Sequence, residues 1–223
     1  MKLRQVVLII ILILIADQAL KFFIKTNYHI NEEHKVMGNW FRLHFVENKG
    51  MAWGWEFGGN FGKMFLTLFR LFAVVFGVYY IRKIVKEKMH TGFIICVALI
   101  FAGAVGNLID SLFYGLIFTE SPEMTTIVAD VVSPGKGYGG FFHGKVVDML
   151  YFPIFDGQWP SWMPLVGGDK FEFFSPVFNI ADAAISVGVI SILMFQKRFF
   201  QKKKANGHVV ETNAPVNDSV QIL

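Results

Sequence analysis

Val6-Val7-Leu8-Ile9-Ile10-Ile11-Leu12-Ile13-Leu14-Ile15-Ala16-Asp17-Gln18-Ala19-Leu20-Lys21-Phe22-Phe23-Ile24 is a run of nineteen residues interrupted only by Asp17, Gln18 and Lys21. A helix rises 1.5 Å per residue, so about 20 apolar residues cross a bilayer core. The run is therefore read as a first membrane span. A cleaved signal peptide would need a small-x-small pattern near Ala16, and none stands there. Asp17 and Lys21 are four apart with the acid first, the favourable order for an ion pair on one helix face. Such a pair neutralises two charges that a span otherwise tolerates poorly.

The whole chain agrees with a membrane protein. Of its 223 residues 54% are hydrophobic, 25 are Phe and only 17% are charged, against about 25% charged in a soluble domain. The basic residues are clustered. Lys2 and Arg4 precede the first run; Arg82, Lys83, Lys86 and Lys88 follow a second; Lys197, Arg198, Lys202, Lys203 and Lys204 follow the last. These eleven of the 21 basic residues alternate with apolar spans as the positive-inside rule requires. Nucleic-acid binding is not expected from that spacing. A single cysteine, Cys96, excludes an internal disulfide, and no His-x-x-His or Cys-x-x-Cys spacing occurs. Neither a metal nor another cofactor is expected.

Further spans are read at 64–81, with Arg70 in its outer part, at 92–116, and at 176–195, where Pro176 suits a helix start. Gly103, Ala104 and Gly106 offer the third span small surfaces for close packing. Between the first two spans, Phe41, Leu43 and Phe45 alternate with Trp40, Arg42 and His44, the period of strands. Asn48-Lys49-Gly50 reads as a turn, and Trp40, Trp53 and Trp55 suit a headgroup layer. Residues 117–175 form a long outer loop rich in Gly, Pro and aromatics. The expected fold is an all-α membrane protein: four transmembrane helices, a small extracytoplasmic β element within 25–62, and that loop. Residues 1–204 form one membrane domain with both termini cytoplasmic, and 205–223 a disordered tail.

Two carboxylates stand where a membrane protein least tolerates them. Asp148 lies in Val146-Val147-Asp148-Met149-Leu150, too short to span and read as a segment packed at the outer surface. Asp182 lies in Phe178-Asn179-Ile180-Ala181-Asp182-Ala183, one to two turns into the fourth span with Asn179 on the same face. Taken singly, Asp182 suits a helix start and Asp148 a solvated loop. Both fall at one membrane depth, however, and intramembrane acids mark functional sites. Two carboxylates sharing one proton can activate water and protonate a leaving group, the chemistry of an aspartic protease. Asn107 and Asp110 repeat the Asn-x-x-Asp spacing at the outer end of the third span. Arg70 either snorkels outward or pairs with one of these acids. Asp130, Asp156 and Asp169 sit among Gly and Pro as loop acids. A proton- or ion-coupled transporter would also place acids in spans, but it would place them near the midplane, and no internal repeat is present. A non-catalytic assembly protein held by structural ion pairs is the third possibility.

Five blocks in order resemble lipoprotein signal peptidase (signal peptidase II): Asp17-Gln18-Ala19-Leu20-Lys21, Phe45-Val46-Glu47-Asn48-Lys49-Gly50-Met51-Ala52-Trp53, Gly106-Asn107-Leu108-Ile109-Asp110, Val146-Val147-Asp148 and Phe178-Asn179-Ile180-Ala181-Asp182. The resemblance leaves out the 117–143 and 156–172 insertions and the tail. It implies a metal-free intramembrane aspartic endopeptidase of the bacterial inner membrane, blocked by globomycin. Such an enzyme cuts a prolipoprotein just before a cysteine that carries diacylglycerol. By position, Asp148 and Asp182 are the expected dyad. Asn48, Asn107, Asp110 and Asn179 are expected to support the site, substrate backbone or lipid, and Asp17 and Lys21 match other polar positions. The family usually has Arg after the Asn-Leu-Ile-Asp block; here Ser111 stands there, and Arg70 is the candidate replacement. One chain suffices for one dyad, so a monomer is expected.

Overall fold

The computed structural model describes residues 1–48, 59–133, 135–153, 155–164, 167–173 and 176–201. The expected turn at 49–50, Trp53, Trp55 and the tail lie outside them. Helix α1 (Leu3–Asn27) contains no Gly or Pro to break it. Helix α2 (Gly59–Lys86) ends on Lys83 and Lys86, cations placed where the helix dipole favours them. Helix α3 (Thr91–Ile109) starts on His90, whose ring accepts the Gly92 N–H at 3.1 Å. Helix α4 (Ile180–Phe199) closes the set. Four helices, with α3 extended to Ile117, are long and apolar enough to cross a membrane.

α3 is the central helix and packs against the other three. Its glycines make this possible. A Cβ on Gly103 would run into the Ala181 carbonyl, and one on Gly106 would lie 2.7 Å from the Asp17 carboxylate. Small residues thus let α1 and α4 approach α3 closely, while Ala104 is only half-buried. α2 turns Phe65, Phe69, Phe72, Phe76 and Tyr79 outward, the surface expected of a lipid-facing helix. Past Ile109, α3 widens into a π-helical turn, Asp110–Tyr114, before a last α turn, Gly115–Ile117. Such wide turns recur at functional sites.

Strands β1 (Glu33–Met37), β2 (Phe41–Asn48) and β3 (Val146–Tyr151) form an antiparallel sheet in the order β1-β2-β3. The segment around Asp148, read from the sequence as a packed piece of loop, is the third strand of this sheet. Its register sets Val46 opposite Asp148 and Asn48 opposite Val146, after a bulge between Leu43 and Val46. The loop region also holds a two-stranded hairpin, β4 (Phe155–Gln158) with β5 (Lys170–Phe173).

The core falls in two parts. One, at the end of the bundle away from the sheet, joins Val6, Ile81, Ile84, Phe93, Ile94 and Ala98. The other joins Ile24, Phe45, Tyr114, Phe118, Val147 and Met149 where sheet and helices meet. The fourth helix starts at Ile180, not Pro176. Phe178 is extended and pairs with Leu150 of β3, and Asn179 takes the cap. Asp182 therefore sits in the first turn of α4, and Asn179 just outside the helix.

Candidate active site

A helix start leaves backbone N–H groups without partners. At α4 two side chains satisfy them: the Asn179 carbonyl oxygen accepts the Asp182 N–H at 2.9 Å, and Asp17 of α1 accepts the Ala181 N–H at 2.9 Å. The cap residue then reaches outward. The Asn179 amide nitrogen donates to the Asp148 carboxylate at 2.6 Å, to Asn107 Oδ1 at 3.1 Å and to the Val147 carbonyl at 3.3 Å. Asn107 donates to the Asp182 carboxylate at 2.7 Å. Two amides, both buried, thus hold Asp148 and Asp182 in one cluster, although one acid comes from a strand and the other from a helix.

Beneath them lies a second layer. Lys21, fully buried, binds Asn107 Oδ1 at 2.9 Å, Asp17 at 3.0 Å and Asp110 at 2.8 Å. An ammonium has three donors, and three acceptors are present. Asp110 also accepts from Gln18 at 2.9 Å and from the Val147 N–H at 3.3 Å, which ties the π turn to the strand carrying Asp148. The Tyr114 hydroxyl donates to Gln18 at 3.2 Å. Removing one member of such a buried set leaves an unpaired charge or dipole, which is costly.

The environments of the two acids differ. Asp148 is only 4% exposed, whereas Asp182 is half-buried. Burial above all, then the neighbouring Asp182 carboxylate, push Asp148 up to about 7 against the opposing pull of Lys21, Asn179 and Asn48. Asn48, on the same face of the sheet and diagonal to Asp148, adds a hydrogen bond to it. A carboxyl group that carries a proton near neutral pH, beside a second carboxylate open to a half-buried surface, can give a proton while its neighbour takes one.

Asn48, Asn107, Asp110, Asp148, Asn179, Asp182, Asp17 and Lys21 all join this cluster. Arg70 reaches its border. It forms no ion pair with an acid among the described residues; its Nη1 donates to Ser111 Oγ at 3.0 Å, and that hydroxyl donates to the Asn107 carbonyl at 2.9 Å. Asp130 and Asp169 are exposed, and Asp156 has no described side chain. Sequence reasoning assigns no role to Gln18, Tyr114, or the cluster in which buried Lys25 bonds Glu47 and Ser121 while Lys145 bonds Glu47 and the exposed Glu120. One signal was available: Lys25 follows Asp17 and Lys21 at steps of four, on the same helix face.

Comparison with known proteins gives concordant results. The family model described as Signal peptidase (SPase) II matches residues 9–198. A lipoprotein signal peptidase of Porphyromonas gingivalis is 46% identical over 196 residues, which cover 87% of this chain and 84% of that one. Another, of Amoebophilus asiaticus, is 34% identical over 200 residues, covering 87% and 78%. A bacterial membrane enzyme solved by the in meso method at 2.3 Å resolution shares the fold, with a TM-score of 0.56 at 24% identity over 91% of this chain and 94% of that one.

Proposed function

We propose, from the premise that this chain belongs to the signal peptidase II family of membrane proteases, that it is an aspartic endopeptidase with Asp148 and Asp182 as its dyad. Its substrates are bacterial prolipoproteins carrying diacylglycerol, cut just before the lipidated cysteine. The observation that carries this reading is the Asn179 amide, which binds the Asp148 carboxylate and caps the amide of Asp182.

Asp148, the more buried acid, holds the proton shared by the pair. The Asp182 carboxylate takes a proton from water, and the water oxygen attacks the scissile carbonyl carbon. Asp148 donates to the developing oxyanion. As the tetrahedral intermediate collapses, a proton passes to the leaving nitrogen, the C–N bond breaks, and the pair returns to sharing one proton. Asn107 and Asn179 hold the carboxylates in place. Lys21 holds Asn107 and offsets the charge of Asp17 and Asp110, and Asn48 steadies Asp148 from the sheet. The bilayer holds the substrate's lipid and so fixes the depth of the scissile bond, a gain in orientation.

In this arrangement the chain sits in the bacterial inner membrane with both termini cytoplasmic, and the sheet and dyad lie near the outer face. The basic clusters at the start of α1 and at the ends of α2 and α4 support that orientation. A single chain supplies both acids, which supports a monomer, and globomycin is the expected inhibitor.

The test is cleavage of a diacylglyceryl-modified prolipoprotein by the purified protein in detergent, with Asp182→Asn and EDTA as controls. Cleavage lost in the variant and unaffected by EDTA is expected. A folded wild-type protein that neither cleaves nor binds globomycin would overturn the reading and favour an ion-coupled transporter.

A further inference from the structure

A charged group inside a membrane span is costly unless it is paired or has work to do. Arg70 of α2 stands in such a span. Among the described residues its hydrogen bond goes to a neutral group, Ser111 Oγ at 3.0 Å, and no acid lies within ion-pair distance. The acidic side chains of Asp182, Asp110 and Asp148 nevertheless lie close enough to act on its charge. Arg70 is therefore close to the dyad without being neutralised by direct contact. A guanidinium has five N–H donors, and Ser111 takes one.

Ser111 is not free to choose its geometry. It is 2% exposed, and its proton is committed to the Asn107 carbonyl. Its lone pairs therefore point to Arg70, and the π turn fixes where it stands. Arg70 and Ser111 line a shallow surface recess that also touches Asn48, Thr67 and Lys63. Asn48 binds Asp148, so whatever lies across the recess lies beside the dyad. Two of the other polar walls are already occupied. Lys63 donates to the His143 carbonyl, and the Thr67 hydroxyl donates to the Lys63 carbonyl at 2.9 Å. Donor capacity remains on Arg70. The nearby Asp182 carboxylate offsets part of its positive potential, which disfavours a full anion and suits a neutral dipolar acceptor.

We infer that this recess is a substrate subsite in which Arg70, aimed by Ser111, donates hydrogen bonds to backbone carbonyl oxygens of the extended peptide beside the scissile bond. The inference rests on the peptidase reading above. It assigns α2, which packs mainly against α3, a direct part in holding the substrate.

The test uses the full-length protein in detergent and a synthetic diacylglyceryl-modified prolipoprotein peptide, with kcat and KM measured separately. Arg70→Gln is expected to raise KM about 10- to 100-fold, the range of a charge-assisted hydrogen bond, with a smaller change in kcat. Arg70→Lys keeps the charge and is expected to lose less, and it serves if the glutamine variant does not fold. Ser111→Ala is expected to raise KM several-fold. The double variant Arg70→Ser, Ser111→Arg returns a guanidinium to the same recess from its other wall and is expected to recover part of the loss. Peptides with single carbonyls reduced to methylene complete the experiment. One of them is expected to show no further loss with Arg70→Gln, the non-additivity of a direct contact. Unchanged KM in both Arg70 variants, or additive losses for every carbonyl, would overturn the subsite while leaving the peptidase intact. A wild-type protein that does not cleave would instead remove the function on which it rests.

Discussion

Asn179 donates a 2.6 Å hydrogen bond to the Asp148 carboxylate from the cap position of the helix that carries Asp182. One side chain therefore ends a helix and spaces two acids. Asn179→Ala is expected to lose both functions. Cap removal costs about 1 kcal/mol, seen as a lowered thermal midpoint, and the cleavage rate should fall at least about tenfold. Wild-type kcat in a variant with a lowered midpoint would show that the cap matters and the bridge does not.

Asp148→Asn and Asp182→Asn each remove half of the acid–base pair. Both are expected to lower cleavage about a thousandfold while the protein still inserts and purifies as wild type. Residual activity near wild type in either variant would take that residue out of the dyad.

The pH dependence follows from Asp148, which burial and Asp182 push up to about 7 from 3.8. Between these values the folded protein keeps a proton that the unfolded chain has released. This contribution to stability is complete below about pH 4, declines as pH rises, and is gone above about pH 7. The thermal midpoint of Asp148→Asn should therefore gain on wild type as pH is raised from 4 to 7 and then level off. Cleavage by wild type should fall on the alkaline side with an apparent pKa near 7 that belongs to the coupled pair. A rate flat from pH 6 to 9 would exclude Asp148 as the proton donor.

Lys21 is fully buried against Asp17, Asp110 and Asn107. Lys21→Met leaves two buried carboxylates without their cation, and breaking such a set costs about 3–5 kcal/mol. The variant should give little folded protein in detergent. Adding Asp110→Asn removes one of the stranded charges and should recover part of the yield. Equal yields from the single and double variants would mean that packing, not charge, makes Lys21 necessary.

The helices were legible because length and hydropathy alone separate a membrane span from everything else, and β2 because one face of it alternates. β3 was not, for a physical reason. Val146, Val147, Asp148, Met149 and Tyr151 are all buried, and a strand covered on both faces has no period of two to read. Helix α4 starts at Ile180 and not at Pro176 because Pro at the first helical position is only a general preference, while the local chemistry favours Asn179 as the cap. An Asn three residues before an acid is a helix-start pattern, and here Phe178 is held extended by Leu150. The acids of the cluster were legible from the expense of a carboxylate among Val, Ile and Phe. Their partners across the fold were less so. Spacing along α1 pairs Asp17 with Lys21, but nothing along the chain brings Gln18 to Asp110 or Arg70 to Ser111, contacts 92 and 41 residues apart.

The first turn of α4 has a consequence for motion. Its Ala181 and Asp182 amides are held by Asp17 and Asn179, not by the helix's own carbonyls. Any fraying of that turn would disperse the carboxylate cluster at the same moment, so the two backbone protons are local witnesses of an assembled centre. Their hydrogen-exchange lifetimes would clock how often the molecule passes through a state with its acids apart, in the absence of any substrate.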